Sequence, residues 1–310
     1  MRILVLGAAA GGGFPQWNCN CANCRRARDP SDAAARPRTQ SSLAVSADGV
    51  RWLLLNASPD LRQQIAANPV LHPQAGARHS PIAAVIASNG DVDHVAGLLS
   101  LRESQPFAVY ATDRVQAVLR SNNIFNVLNA DLVPRREVHL EQPTEICDAD
   151  TVPLGLRITA FAVPGKVALY LEDAKAGPDF GTKAGDTIGL EIVAPATGAK
   201  FFYLPACAAM PAELARRLAA APLLFFDGTL WRDDEMITTG VGSKTGKRMG
   251  HMSLSGREGS MTALAPLKIA RRIFIHINNT NPILLDDSPE RAEAEAAGWE
   301  VAYDGQEINL

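Results

Sequence analysis

Two apolar runs that each deliver metal-binding side chains at their far end constrain most strongly what this chain can fold into. The stretch from Ile82 to Ala87 carries nothing polar and gives way, through Ser88-Asn89-Gly90, to Asp91, Asp93 and His94. Much later, Arg272-Ile-Phe-Ile repeats the arrangement with His276 at its end. Runs of this length and apolarity read as buried strands. In α/β proteins the carboxyl ends of such strands carry the sites. A helix is expected to begin around Asp93-His94.

Other strand-like runs are Arg2 to Leu6, Ser42 to Val45, Arg51 to Leu55, Phe107 to Ala111, Arg157 to Ala162, Thr187 to Val193, Lys200 to Leu204 and Leu223 to Asp227. Between them sit helical stretches with punctuation. Pro211 is expected at the first position of a helix over Ala212 to Ala220, and Ser288-Pro289-Glu290 opens a last helix that Gly298 stops. The tail from Glu300 to Leu310 is expected to turn at Asp304-Gly305 as a hairpin. Strands clustered in two halves, with helices interspersed, predict two packed sheets flanked by helices in one α/β domain over residues 1–310. The glycines from Gly7 to Gly13 follow a strand but run into Phe14-Pro15-Gln16-Trp17 rather than a helix, so they read as a turn and not a dinucleotide site.

A second feature is Cys19-Asn20-Cys21-Ala22-Asn23-Cys24, three of the five cysteines within six positions. Thiolates that close together on a polar loop suit one tetrahedral zinc, which then lacks a fourth ligand. An odd, clustered set argues for metal chemistry in a reducing compartment, hence the cytoplasm, rather than a disulfide framework. Cys147 and Cys207 read as inert core thiols, and His72, His79 and His139 as surface residues. The net charge of −3 with mixed signs shows no basic face for nucleic acid. The apolar runs fall short of the ~20 residues that span a bilayer.

Asn89-Gly90-Asp91-Val92-Asp93-His94 resembles the His-x-His-x-Asp-His signature of the metallo-β-lactamase superfamily, with Asn89 and Asp91 in place of its first two histidines. From Gly11 through Cys24, and again from Phe274 through Leu284, the chain is similar to the branch of that superfamily serving synthesis of the redox cofactor pyrroloquinoline quinone. The resemblance implies an αββα sandwich of two mixed sheets. A related phosphodiesterase branch shares the cysteine clip and takes its fourth zinc ligand three residues after the last active-site histidine. Here that place holds Asn279. The superfamily's third histidine would follow Pro164-Gly165, where Lys166 stands, and its metal-bridging aspartate would follow Pro205, where Ala206 stands.

One metal position is thereby stripped, and the other keeps Asp93, His94 and His276. Two imidazoles and one carboxylate form the facial triad of non-haem Fe(II) oxygenases, although zinc also accepts such ligands. The expected activity is Fe(II)- and O2-dependent hydroxylation of the tyrosine ring in a small, dipeptide-like intermediate made from a cross-linked Glu-Tyr pair. Lys166, Asp91 and His251 are candidates for binding substrate or moving protons, and Asp227 for supporting the site from behind. A non-catalytic carrier of the finished quinone and a residual mononuclear zinc hydrolase stand as the alternatives. A homodimer and contacts with other proteins of the pathway are compatible with either.

Overall fold

In the computed structural model, which describes residues 1–177 and 179–310, fourteen strands form two sheets of seven. The first sheet contains β1 (Arg2–Gly7), β2 (Ser42–Ser46), β3 (Trp52–Leu55), β4 (Ile82–Ile86), β5 (Ala108–Ala111) and β6 (Arg135–Glu137). The second contains β7 (Pro143–Cys147), β8 (Pro153–Ala162), β9 (Ile188–Ala194), β10 (Ala199–Leu204), β11 (Leu224–Asp227), β12 (Arg272–Ile275) and β13 (Trp299–Val301). The last strand, β14 (Glu307–Asn309), returns to the first sheet, whose order is β14-β1-β2-β3-β4-β5-β6; the second runs β13-β12-β11-β10-β9-β8-β7. Each sheet is antiparallel on one side and parallel on the other. β3 to β6 run parallel, as do β10 to β13.

The residue pattern explains this division. β4 (IAAVI) and β11 (LFFD) lie inside parallel sheets with both faces covered, and every residue in them is buried. β8, in the antiparallel part, alternates buried and exposed over most of its length. Ile3, Val5, Leu53, Ile86 and Tyr110 of the first sheet meet Ile158, Ile192, Phe201, Phe225 and Ile273 of the second in a shared core. On the outer face of the first sheet, Leu54, Val85 and Val109 pack under the helices at Leu61–Ala67 and Asp113–Ser121. Phe202, Phe226 and Phe274 do the same beneath those at Ala212–Leu218 and Pro289–Ala296. The layers are helix, sheet, sheet, helix, as expected. Among the described residues no helix is long and apolar enough to cross a membrane.

Several local expectations are corrected. Asp304-Gly305 does not close a hairpin, because β13 pairs with β12 while β14 pairs with β1, so the turn carries the chain from one sheet to the other. The Asp304 carboxylate holds that crossing by accepting hydrogen bonds from Ala8 N, Thr39 N and Thr39 Oγ1 at 3.2, 2.7 and 2.7 Å. Pro211 is the N-cap, with ψ 156°, and not the first helical residue. Ser288 caps the last helix as expected, accepting from Arg291 N. Cys147 is only partly buried, at the end of a short strand, whereas Cys207 is fully buried. β6, β7 and the start of β8 lie outside the apolar runs read as strands.

Candidate metal centre

Asp93, His94 and His276 come from two sheets and meet at the carboxyl ends of parallel strands. β4 ends at Ile86, and the short helix Val92–Val95 presents Asp93 and His94. β12 ends one residue before His276, whose φ of 59° lies in the left-handed region. Non-glycine residues occupy that region at a cost, and only where their surroundings impose it. Asp93 Oδ2 stands 3.0 Å from His276 Nε2 and 3.9 Å from His94 Nε2. Gly11 lets the glycine-rich loop close over this carboxylate, since a Cβ there would lie 3.3 Å from Asp93 Oδ2.

The hydrogen bonds fix the ring tautomers. Asn89 Oδ1 accepts from Asp91 N at 3.0 Å, so it is the amide oxygen, and it also accepts the Nδ1–H of His94 at 2.7 Å. The Nε2 of His94 is therefore a lone pair, and among the described residues it is buried without a hydrogen-bond partner. Thr229 Oγ1 donates its one proton to Asp227 Oδ1 at 2.6 Å and accepts from His276 Nδ1 at 3.0 Å. His276 thus also turns Nε2 toward Asp93. Burial pushes His94 down to about 4, in keeping with a neutral ring. Burial opposes charge on Asp93, yet the imidazoles of His94 and His276 hold it well below the usual carboxylate range. Burial lowers His276, but the Asp93 carboxylate outweighs it and holds the imidazole above its ordinary value. A metal ion with bonds of ~2.0–2.2 Å would satisfy all three donor atoms together.

The clip has the same character. The three cysteine sulfurs lie within 4.8 Å of one another. The terminal amide nitrogen of Asn279 is 3.1, 3.8 and 3.3 Å from the sulfurs of Cys19, Cys21 and Cys24. Tetrahedral zinc with ~2.3 Å bonds to sulfur and ~2.1 Å to oxygen sets such atoms about 3.6 Å apart. Turned to present its oxygen, the Asn279 amide fits the fourth position. Burial pushes the Cys24 thiol up, so a cation is what would hold it as thiolate.

A cleft of about 350 Å³ opens onto the central group. His251 lines it, with Nδ1 held 2.6 Å from Asp227 Oδ2 and its ring stacked on His276 at 5.3 Å between centroids. Its Nδ1–H is engaged by the buried carboxylate, which leaves Nε2 as the ring's hydrogen-bond acceptor. Asp91 also lines the cleft, but it is not brought within metal-sharing distance of the other three. Its carboxylate accepts from Leu169 N at 3.3 Å, and burial, with the Asp93 charge, raises it. Lys166 is neither solvated nor free: its ammonium pairs with Glu172, which Arg248 also grips at 2.7 and 3.2 Å. Arg248 and Lys166 hold the Glu172 carboxyl down to about 2.

The sequence reading missed Lys244, Thr229 and the orienting role of Asn89. Lys244 lines the cleft and has no ion-pair partner among the described residues. It stands in a Gly-Ser-Lys-Thr-Gly loop with no periodic signal to mark it. Asn89, which replaces a superfamily histidine, is the group that orients His94. Thr229 and Asp227 complete the backing of His276 and His251, and only the placement of Asp227 at a strand end hinted at this.

A model described as a beta-lactamase superfamily domain matches residues 51–277. The chain is 57% identical over 311 residues, the whole of both chains, to coenzyme PQQ synthesis protein B of Rhodopseudomonas palustris strain CGA009. It is 54% identical to the protein of that name from Methylorubrum extorquens AM1, again over the full length of both. The crystal structure of zinc-bound PqqB from Methylobacterium extorquens superposes with a TM-score of 0.93 at 53% identity, covering all of both chains. A diphosphatase of the PhnP family, at 20% identity and a TM-score of 0.68 over all of this chain and 97% of that one, shares the fold. Fold, clip and full-length identity agree: this chain belongs to the metallo-β-lactamase superfamily and, within it, to the coenzyme PQQ synthesis protein B family.

Proposed function

We infer that the protein acts in pyrroloquinoline quinone synthesis as a mononuclear, iron-dependent hydroxylase of a small tyrosine-derived substrate bearing carboxylates. The observation that carries this reading is the convergence of Asp93 Oδ2, His94 Nε2 and His276 Nε2, with the Nδ1 atoms of the two rings engaged by Asn89 and Thr229. Iron(II) held by that set would supply dioxygen activation with several coordination positions left for oxygen and substrate. Ala206 lines the cleft, and among the described residues no second carboxylate joins the group of Asp93, His94 and His276, as a metal-bridging carboxylate for two-metal hydrolysis would.

The rest of the chemistry belongs to the protein. His251, backed by Asp227, accepts the proton of a phenol at Nε2 and so raises the electron density of the ring to be hydroxylated. Lys244 meets a substrate carboxylate. Lys166, also in the cleft lining, is held by Glu172, which Arg248 grips in turn. The cleft, with its mixed polar and apolar lining, holds a small molecule in one orientation.

The test is anaerobic loading with Fe(II), followed by substrate, a reductant and ¹⁸O-labelled dioxygen, with the product read by mass spectrometry. Uptake of label into the ring is expected, with its loss in His276→Ala. Full activity in His276→Ala overturns the ligand assignment. Tight binding of the finished quinone by metal-free protein, without any oxygenation, selects the carrier reading instead.

A further inference from the structure

The clip and the central group are joined by one short loop. Only two residues separate His276 from Asn279, and that stretch is tied on both sides. Toward the clip, the Asn23 amide spans the carbonyls of Asn279, Thr280 and Asn281 at 3.3, 2.9 and 3.3 Å. Toward the second sheet, Asn278 N donates to Thr229 O at 3.0 Å, and the Asn281 amide donates to Gly228 O at 2.9 Å. The glycine-rich loop that ends at the clip also touches both halves of the centre. Ala10 N donates to Ile277 O at 2.8 Å, and Gly11 packs on Asp93.

We propose that the zinc clip, acting through Asn23 and Asn279, holds His276 in its left-handed conformation and thereby sets the metal affinity of the central site. The proposal rests on the reading of Asp93, His94 and His276 as metal ligands, but not on the oxygenation chemistry. A residue held at positive φ relaxes unless its neighbours over-determine it. β12 fixes the chain before His276, and the clip fixes it after. Asn23 is a positioning residue: it touches neither metal and locks three successive carbonyls of the connecting loop. Coupling of this kind is reciprocal, so a metal at the centre must tighten zinc in the clip by the same factor.

The experiment titrates Co(II) anaerobically into protein whose clip retains zinc, following the d–d absorption of the central site. In Asn23→Ala, clip zinc is expected to stay at one per chain while the central Kd weakens about tenfold, a central tendency for loss of a supporting hydrogen bond behind a metal ligand. Cys21→Ser should show the same weakening together with loss of the zinc. Unmodified protein gives the reciprocal measurement without any variant: filling the centre should lower zinc loss to a chelator by the same factor. Central affinities equal to the parent in Asn23→Ala, or zinc retention indifferent to the central metal, overturn the proposal. Cobalt binding unchanged in His276→Ala sinks the central site itself, which separates the two failures.

Discussion

At the scale of single residues, the centre depends on groups that ligate nothing. Asn89 gives His94 its tautomer through a 2.7 Å hydrogen bond, while its own orientation is fixed by the Asp91 amide. Asn89→Leu keeps the bulk and removes the acceptor. Central metal affinity is expected to fall 10- to 100-fold, read by competition with a chromophoric chelator, with the fold intact by circular dichroism. Lys244 is half-buried, and a cation so placed, without a partner, is best repaid by an incoming anion. Lys244→Ala should raise KM for a carboxylated substrate about tenfold while leaving kcat nearly constant, since binding alone is lost. The sequence made Asp93, His94 and His276 legible because each follows a recognisable apolar strand. Lys166 lines the cleft, and its ion pair with Glu172, six residues on, carries no sequence signature.

At the scale of elements, the helix bearing Asp93 and His94 is positioned by a close approach. A Cβ at Gly97 would lie 2.2 Å from Ser58 O, so the chain after His94 packs backbone against backbone on the loop following β3. Gly97→Ala therefore has to shift one of the two, at about 1–3 kcal/mol. Thermal unfolding should show a lower midpoint, and the central site a weaker metal. The helix Glu235–Thr238 faces the clip loop through Glu235, whose carboxylate accepts from Trp231 N at 2.7 Å and from the Thr280 hydroxyl. Burial pushes this carboxyl up to about 7, above its ordinary 4.5. A folded-state pKa raised for an acid means the fold binds the proton more tightly than the unfolded chain. Stability is then greatest below about 4.5 and declines as pH climbs toward 7, on the order of 3 kcal/mol from this group. Glu235→Gln should flatten that part of the denaturation-midpoint profile; an unchanged slope would contradict it. Elements were read from apolar content, and this succeeded for β4, β10 and β12. It failed for β6 (RRE), because an edge strand with charged side chains owes its existence to its partner rather than to its composition.

At the scale of the molecule, the two sheets have the same plan, each half antiparallel and half parallel, and the metal-binding side chains follow one parallel strand of each, β4 and β12. The layered architecture was legible from strands alternating with helices, and the resemblance of Asn89–His94 sharpened it. The closing crossing was not, since Asp304-Gly305 has the composition of a hairpin turn, and only three distant donors on Ala8 and Thr39 show what the aspartate holds. Asp304→Ala leaves those donors without an acceptor in a part-buried setting, and a loss of about 1–3 kcal/mol is expected in urea denaturation.

That return of β14 to the first sheet bears on the order of assembly. β1 is made some 300 residues before β14, the neighbour on its open side. Throughout that interval the nascent sheet presents a bare edge able to pair with another chain. His276 follows Asp93 by 183 residues, so a metal cannot find its complete set of donors until that stretch has been made. Over the same interval the edge of β1 stays open.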